Sequence, residues 1–223
     1  MTQLQAQTYN PNYQYQHIEV KPVTGRIGAE ITGIKLSGDL NQDVVAEFNH
    51  ALLKYKVVFV RGQQHLTDLE QEAFARLLGT PLNHPSVPLK DGTAHTLSID
   101  SRGGRADSWH TDITFLPNYP KATILRNVIA PSNGGDTVWA NTTTAYEDLS
   151  PELQKLAEQL RAVHSNSYDY AKPKGEYNEE GRHLFRTAVE IETEHPLVRV
   201  HPETGEKTLV LGHFFKRFSG YSP

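Results

Sequence analysis

Val57, Val58, Phe59 and Val60 form four consecutive apolar residues, directly after "NQDVVAEFNHALLKY" (41–55), where Val45, Phe48, Leu52 and Leu53 recur at helical spacing. A helix-period stretch running straight into a short continuous apolar run predicts a helix followed by a strand buried on both faces. Such a strand must be covered from both sides, so this junction constrains the fold more than any other stretch.

The surrounding sequence supplies further elements. "HIEVKPVTGRIGAEITGIKL" (17–36) alternates apolar and polar residues around Gly25, Gly28 and Gly33 and predicts a hairpin. "TDLEQEAFARLLG" (67–79) predicts a helix, with Thr67 and Glu70 as a capping box and Gly79 as the stop. "SPELQKLAEQLRAV" (150–163) predicts another, with Ser150 as N-cap and Pro151 at the first helical position. "KATILRNVIAP" (121–131) is a strand candidate, and "HPLVRVHPETGEKTLVLG" (195–212) reads as two strands about a turn at Gly205. Residues 1–17, rich in Gln, Asn and Tyr without periodicity, predict a flexible arm. The polar segment 165–183 predicts a surface lid or loop, in which Tyr168, Tyr170 and Tyr177 serve either a substrate or ordinary packing. The chain is expected to be mainly β with flanking helices, one domain over 18–223.

Composition narrows function by exclusion. A formal charge of −4 gives no basic face for nucleic acid. No apolar run nears the ~20 residues that cross a bilayer, and the N-terminus lacks the basic start and apolar core of a secretory signal. The expectation is a cytoplasmic protein with neither nucleic-acid nor membrane partners. With no cysteine, thiolate nucleophiles and Cys-ligated metals are excluded, and the 11 histidines carry any soft-metal chemistry.

One such histidine lies in "SWHTDITF" (108–115). If this stretch is extended, His110 and Asp112 share one face, opposite Trp109, Thr111, Ile113 and Phe115. An imidazole and a carboxylate on one rigid element suit two corners of the facial triad of non-haem iron oxygenases. With 11 histidines and ten aspartates, roughly half an H-x-D is expected by chance, so the pair alone is also compatible with a turn cap and backbone hydrogen bonds. Downstream, "PSNGGDTVWAN" (131–141) turns on Gly134 and Gly135 and offers the Thr137 hydroxyl, which reads equally as a hairpin turn.

Taken together, "SWHTDITF", "YPKATILRNVIAPSNGGDTVWANTTTAYEDLS" and "TEHPLVRVHPETGEKTLVLG" resemble the taurine dioxygenase family of Fe(II)- and 2-oxoglutarate-dependent oxygenases, most closely its alkylsulfatase branch. The resemblance runs from about residue 18 onward and implies a double-stranded β-helix, or jelly roll, with helices around it. It makes His110 and Asp112 iron ligands, places Thr137 against the 2-oxoglutarate carboxylate, and matches His84 of "NHPSVP" and Ile113 to substrate-contacting positions. His84 on its own reads equally as the cap of the loop around Pro85.

The implied reaction hydroxylates the carbon next to a sulfate ester or sulfonate, using O2. It releases sulfate or sulfite, an aldehyde, succinate and CO2. Val87 stands where taurine-specific relatives carry tyrosine, which favours an alkyl tail. Other anionic substrates, or a non-catalytic jelly-roll binding module, are the competing readings. Relatives commonly form homo-oligomers.

The family's third ligand histidine and its carboxylate-clamping arginines lie far downstream of the H-x-D. His164, His183, His195, His201 and His213 do not stand in that context, and His195 and His201 are expected to be structural. On this reading the sequence is part of a longer protein, incomplete at its C-terminus, and poorly active alone.

Overall fold

The computed structural model describes residues 9–99, 106–168 and 189–221, which fall into two compact units. The first comprises residues up to Pro81 with Leu125–Ala145 and Val200–Thr208, and the second Leu82–Ile124, Tyr146–Arg199 and Leu209 onward.

In the first unit, β1 (Glu19–Pro22) and β2 (Ala29–Thr32) form the expected antiparallel hairpin, with Val20 opposite Ile31. Helix α1 (Gln42–Tyr55) then crosses over to β3 (Val58–Phe59), which pairs parallel to β2. Asn41 caps α1 by accepting the Asp43 N–H. Helix α2 (Asp68–Leu78) carries the full capping box: Glu70 N–H donates to the Thr67 hydroxyl, and Thr67 N–H donates to Glu70 Oε2 at 2.7 Å. The two helices meet through Phe48 and Phe74, whose rings stack edge to face at 5.2 Å.

Two expectations need correcting here. β3 is half-buried rather than covered on both faces, because it is the edge of its three-stranded sheet. Residues 9–17 are not loose: buried Glu47 of α1 accepts the backbone N–H groups of Gln16, His17 and Ile18 at 2.6, 2.8 and 3.1 Å. Tyr9, Tyr13 and Tyr15 surround the His50 ring on the same helix. Residues 1–8 of the expected arm lie outside the described residues.

Helix α3 (Thr142–Glu147) begins at the Asn141 cap. In the second unit, α4 (Pro151–Gln159) starts at Ser150 as expected but stops four residues early, since 161–165 form a strand. That strand, β4 (Arg161–Ser165), is central in an antiparallel sheet between β5 (Glu192–Pro196) and β8 (Phe215–Phe218). Its register sets Ala162 opposite His195 and His164 opposite Thr193. Two apolar clusters fill this unit: Ala157, Ala162 and Leu197 beside the sheet, and Ile113, Phe115 and Phe214 beneath the loop that bears the H-x-D. β6 (Val198–Val200) and β7 (Lys207–Leu209) form a two-stranded ribbon whose turn holds Gly205, as expected.

The strand expected over 121–131 is not formed; Leu125, Val128 and Ile129 are exposed and the segment joins no ladder. An apolar run becomes a strand only where a neighbouring edge accepts its hydrogen bonds. Most of the predicted lid, including Tyr170, Tyr177 and His183, lies outside the described residues; Tyr168 is described and exposed.

Candidate metal centre

The segment 108–115 is not the extended strand that its alternation predicts. Ile113 has φ of 45°, and a turn over 112–115 closes with Leu116 N–H donating to Ile113 C=O at 2.9 Å. A β-branched residue in the left-handed region is rare and must be imposed by its surroundings. The side chain of Ile113 lies in the core with Phe115 and Phe214, only 6% exposed, rather than on an open pocket wall. Trp109, by contrast, is exposed, so the two do not share a face.

The turn nevertheless brings the pair together: His110 Nε2 lies 3.3 Å from Asp112 Oδ1. The other nitrogen of the ring, Nδ1, lies 2.8 Å from the Ser108 carbonyl oxygen, which only accepts. Nδ1 therefore carries a hydrogen, and Nε2 faces a carboxylate oxygen that also only accepts. A proton or a metal ion between Nε2 and Oδ1 satisfies both groups. A carbonyl that fixes the tautomer of a histidine, leaving Nε2 toward the ion, is the usual support for an imidazole ligand. The second carboxylate oxygen, Oδ2, accepts the Thr123 hydroxyl at 2.6 Å, so the carboxylate is held from behind as well. The His110 hydrogen bond keeps the Asp112 carboxyl below its ordinary range, with Thr123 and the nearby His84 adding to the effect against partial burial. An ionised carboxylate beside an oriented imidazole fits a divalent cation. Among the described residues no set of three His, Cys, Asp or Glu side chains could hold one together.

His84 caps its loop and faces the same site. Its Nδ1 accepts the N–H groups of Ser86 and Val87, both at 3.1 Å. With Nδ1 an acceptor, the neutral ring carries its hydrogen on buried Nε2. Burial pushes its pKa down, and the charge of Asp112 opposes that only in part. His84 is thus favoured as a neutral ring, and of the two readings that the sequence left open the loop cap is the one its hydrogen bonds display. Thr137 stands in the first unit, exposed, just beyond Gly134 and Gly135.

Several residues around the pair were not singled out from sequence. Trp109 C=O accepts the His213 N–H at 2.8 Å, and a Cβ built at Gly212 would stand 2.8 Å from that same oxygen and 3.2 Å from His110 Cα. Gly212 has φ of 151°, so glycine is required there on two counts. On the other side, Thr114 Oγ1 lies 2.8 Å from His164 Nδ1, His195 Nε2 donates to Thr114 C=O at 2.8 Å, and the Thr193 hydroxyl donates to Phe115 C=O at 2.7 Å. His195 is therefore structural, as expected, and so is His201, whose Nδ1 accepts the N–H groups of Glu203 and Thr204 in the β6–β7 turn.

A tautomer-fixed histidine and a buttressed aspartate two residues apart can offer two donors to one divalent ion, and comparison with known proteins gives the class. Residues 19–223 match the taurine catabolism dioxygenase TauD, TfdA family, and the chain belongs to it. It is 56% identical over 210 residues to the alpha-ketoglutarate-dependent sulfate ester dioxygenase of Pseudomonas putida, covering 92% of this chain and 69% of that protein. It is also 56% identical to the alkylsulfatase of Acinetobacter baylyi, covering 93% of this chain and 67% of that one. Among solved structures, a taurine dioxygenase from Burkholderia xenovorans superimposes with a TM-score of 0.70 at 38% identity, over 93% of this chain and 68% of that one. The fold is thus that of the TauD-family dioxygenases.

Proposed function

We propose that this chain acts as a 2-oxoglutarate-dependent dioxygenase, that it supplies His110 and Asp112 to Fe(II), and that it acts on an alkyl sulfate ester. The observation that carries the metal assignment is the His110 ring: one nitrogen is committed to the Ser108 carbonyl, while the other meets the Asp112 carboxylate at 3.3 Å. The substrate assignment draws on the two relatives at 56% identity, named for sulfate esters and alkyl sulfates. Half-buried Val87 agrees with it, since an apolar side chain there suits an alkyl tail. The double-stranded β-helix belongs to the same proposal.

Each residue has a part that its chemistry permits. Bound iron supplies the oxidation that places one oxygen atom of O2 on the carbon bearing the sulfate, while 2-oxoglutarate takes the other and leaves as succinate and CO2. His110 and Asp112 hold the ion, with Ser108 and Thr123 keeping both donors aimed. His84, with its hydrogen on Nε2, donates to a sulfate oxygen; a neutral donor orients the anion without a full charge to release again. The hydroxylated carbon then carries both an O–H and an O–SO3 group, and loss of the proton with cleavage of the C–O bond gives the aldehyde and sulfate.

The test is anaerobic addition of Fe(II) and 2-oxoglutarate, followed by the visible charge-transfer band of the chelated ferrous ion. The band should appear for the wild type and be absent from Asp112→Ala. Admitting air and an alkyl sulfate should then release equal amounts of sulfate and succinate. A wild type without the band removes the metal assignment. A band coupled to sulfonate turnover alone removes the substrate assignment and keeps the family's chemistry.

A further inference from the structure

We propose that Thr114, gripped by His164 and His195, is the positioning residue that holds the His110–Asp112 pair in its ligating geometry; this rests on the reading of that pair as metal donors. The Asp112 carboxylate is joined to the rest of the second unit through Ile113, whose φ of 45° an isoleucine does not adopt unaided. Something downstream has to impose that conformation. Three hydrogen bonds do so, all reaching two consecutive residues from one buried sheet: His164 on β4 to the Thr114 hydroxyl, His195 on β5 to the Thr114 carbonyl, and Thr193 on β5 to the Phe115 carbonyl.

The ladder brings the three donors and acceptors together, since His164 stands opposite Thr193 and His195 opposite Ala162. Thr114, His164 and His195 are 3%, 1% and 8% exposed, so these bonds compete with no solvent. His195 packs against the Tyr119 ring, edge to face at 5.3 Å, and Arg199 lies over that ring at 4.9 Å. Two imidazoles buried in a sheet beside apolar clusters are a poor way to gain stability, because hydrophobic side chains of similar size would fill the space without desolvating polar groups. Their value is directional: they fix where residues 114 and 115 sit, and so the direction in which residue 112 projects. Upstream, Gly212 and His213 fix the backbone at Trp109 and His110 in the same way. The pair is clamped from both ends.

The test uses Thr114→Val, which removes the hydroxyl and keeps the shape, with Thr114→Ser as the conservative rescue. In the metal-free chain, amide hydrogen exchange of Leu116, whose N–H closes the turn on Ile113, should be about tenfold faster in Thr114→Val and close to wild type in Thr114→Ser. The β4–β5 amides should be unchanged in both. Mn(II) affinity, read from the free-ion EPR signal, should weaken about tenfold in Thr114→Val and recover in Thr114→Ser. Unchanged exchange at Leu116 overturns the proposal. So does equal loss of protection across β4 and β5, which would make the contact a fold contact rather than a positioning one. If the wild type takes up no Mn(II) while the exchange results hold, the metal reading fails and the anchoring of the turn stands.

Discussion

Lowering the pH should weaken the β4–β5–β8 sheet through His164. The ring is 1% exposed; burial, with the charge of His195 adding to it and the Val210 carbonyl opposing, pushes its pKa down to about 4. In the unfolded chain the same group titrates near 6.5. Below pH 6.5 the unfolded chain therefore takes up a proton that the folded chain refuses until about pH 4. Stability from this group is complete above 6.5 and is lost as the pH falls toward 4.

A depression of this size amounts to about 3 kcal/mol in full, of which about 2 kcal/mol is already gone at pH 5. Half-buried His50 and His84 shift in the same direction, so the wild type alone does not isolate the effect. The comparison with His164→Asn does, since the amide keeps an acceptor near Nδ1 and does not titrate. The quantity to follow is the opening free energy of β4 and β5 amides from hydrogen exchange at pH 7.5 and 5.0, because two compact units need not open together. The wild type should lose about 2 kcal/mol more than His164→Asn over that interval. A 13C-labelled histidine spectrum should show the His164 resonance still neutral at pH 5. A midpoint near 6.5, or equal pH dependence in the two proteins, would refute the reasoning.

Gly212→Ala places a Cβ against the Trp109 carbonyl at a backbone angle reserved for glycine; the strain alone should cost about 1–3 kcal/mol, seen as a lower melting temperature with weakened Mn(II) binding. Phe115→Ala empties a fully buried site between Ile113 and Phe214 and should cost about 3–5 kcal/mol in denaturant unfolding of the second unit. Thr67→Ala removes one half of the α2 capping box and should cost about 1 kcal/mol in the first unit, without changing metal affinity. On the proposed metal assignment, Fe(II) should raise the melting temperature of the wild type and leave that of His110→Ala unchanged.

Elements governed by neighbouring residues were legible in the sequence. The capping box of α2, the Ser150–Pro151 start of α4 and the β1–β2 hairpin each depend on side chains within a few positions. Elements governed by distant partners were not. The stretch 121–131 has the composition of a strand and pairs with none, while "LRAV", apolar enough to continue a helix, is drawn into the sheet by β5 and β8. At the candidate site, the closeness of His110 to Asp112 was readable and the backbone that brings them together was not. Alternation in "SWHTDITF" pointed to a strand, but contacts 50 and 81 residues away hold Thr114 in a turn. His164, just past a predicted helix, offered no signal, and Thr123 none at all.

That separation along the chain also sets a timetable for synthesis. The hydrogen bonds of Glu47 to residues 16–18 and the pairing of β3 with β2 all lie within Tyr9–Phe59, so this stretch can close early as it leaves the ribosome. His110 and Asp112 emerge long before the strands that seat them, and His213, which grips Trp109, comes last. A nascent chain therefore displays both donors without the arrangement that would make them compete for an ion. On the proposed assignment of this pair to a metal ion, loading is a late event, coupled to the folding of the second unit.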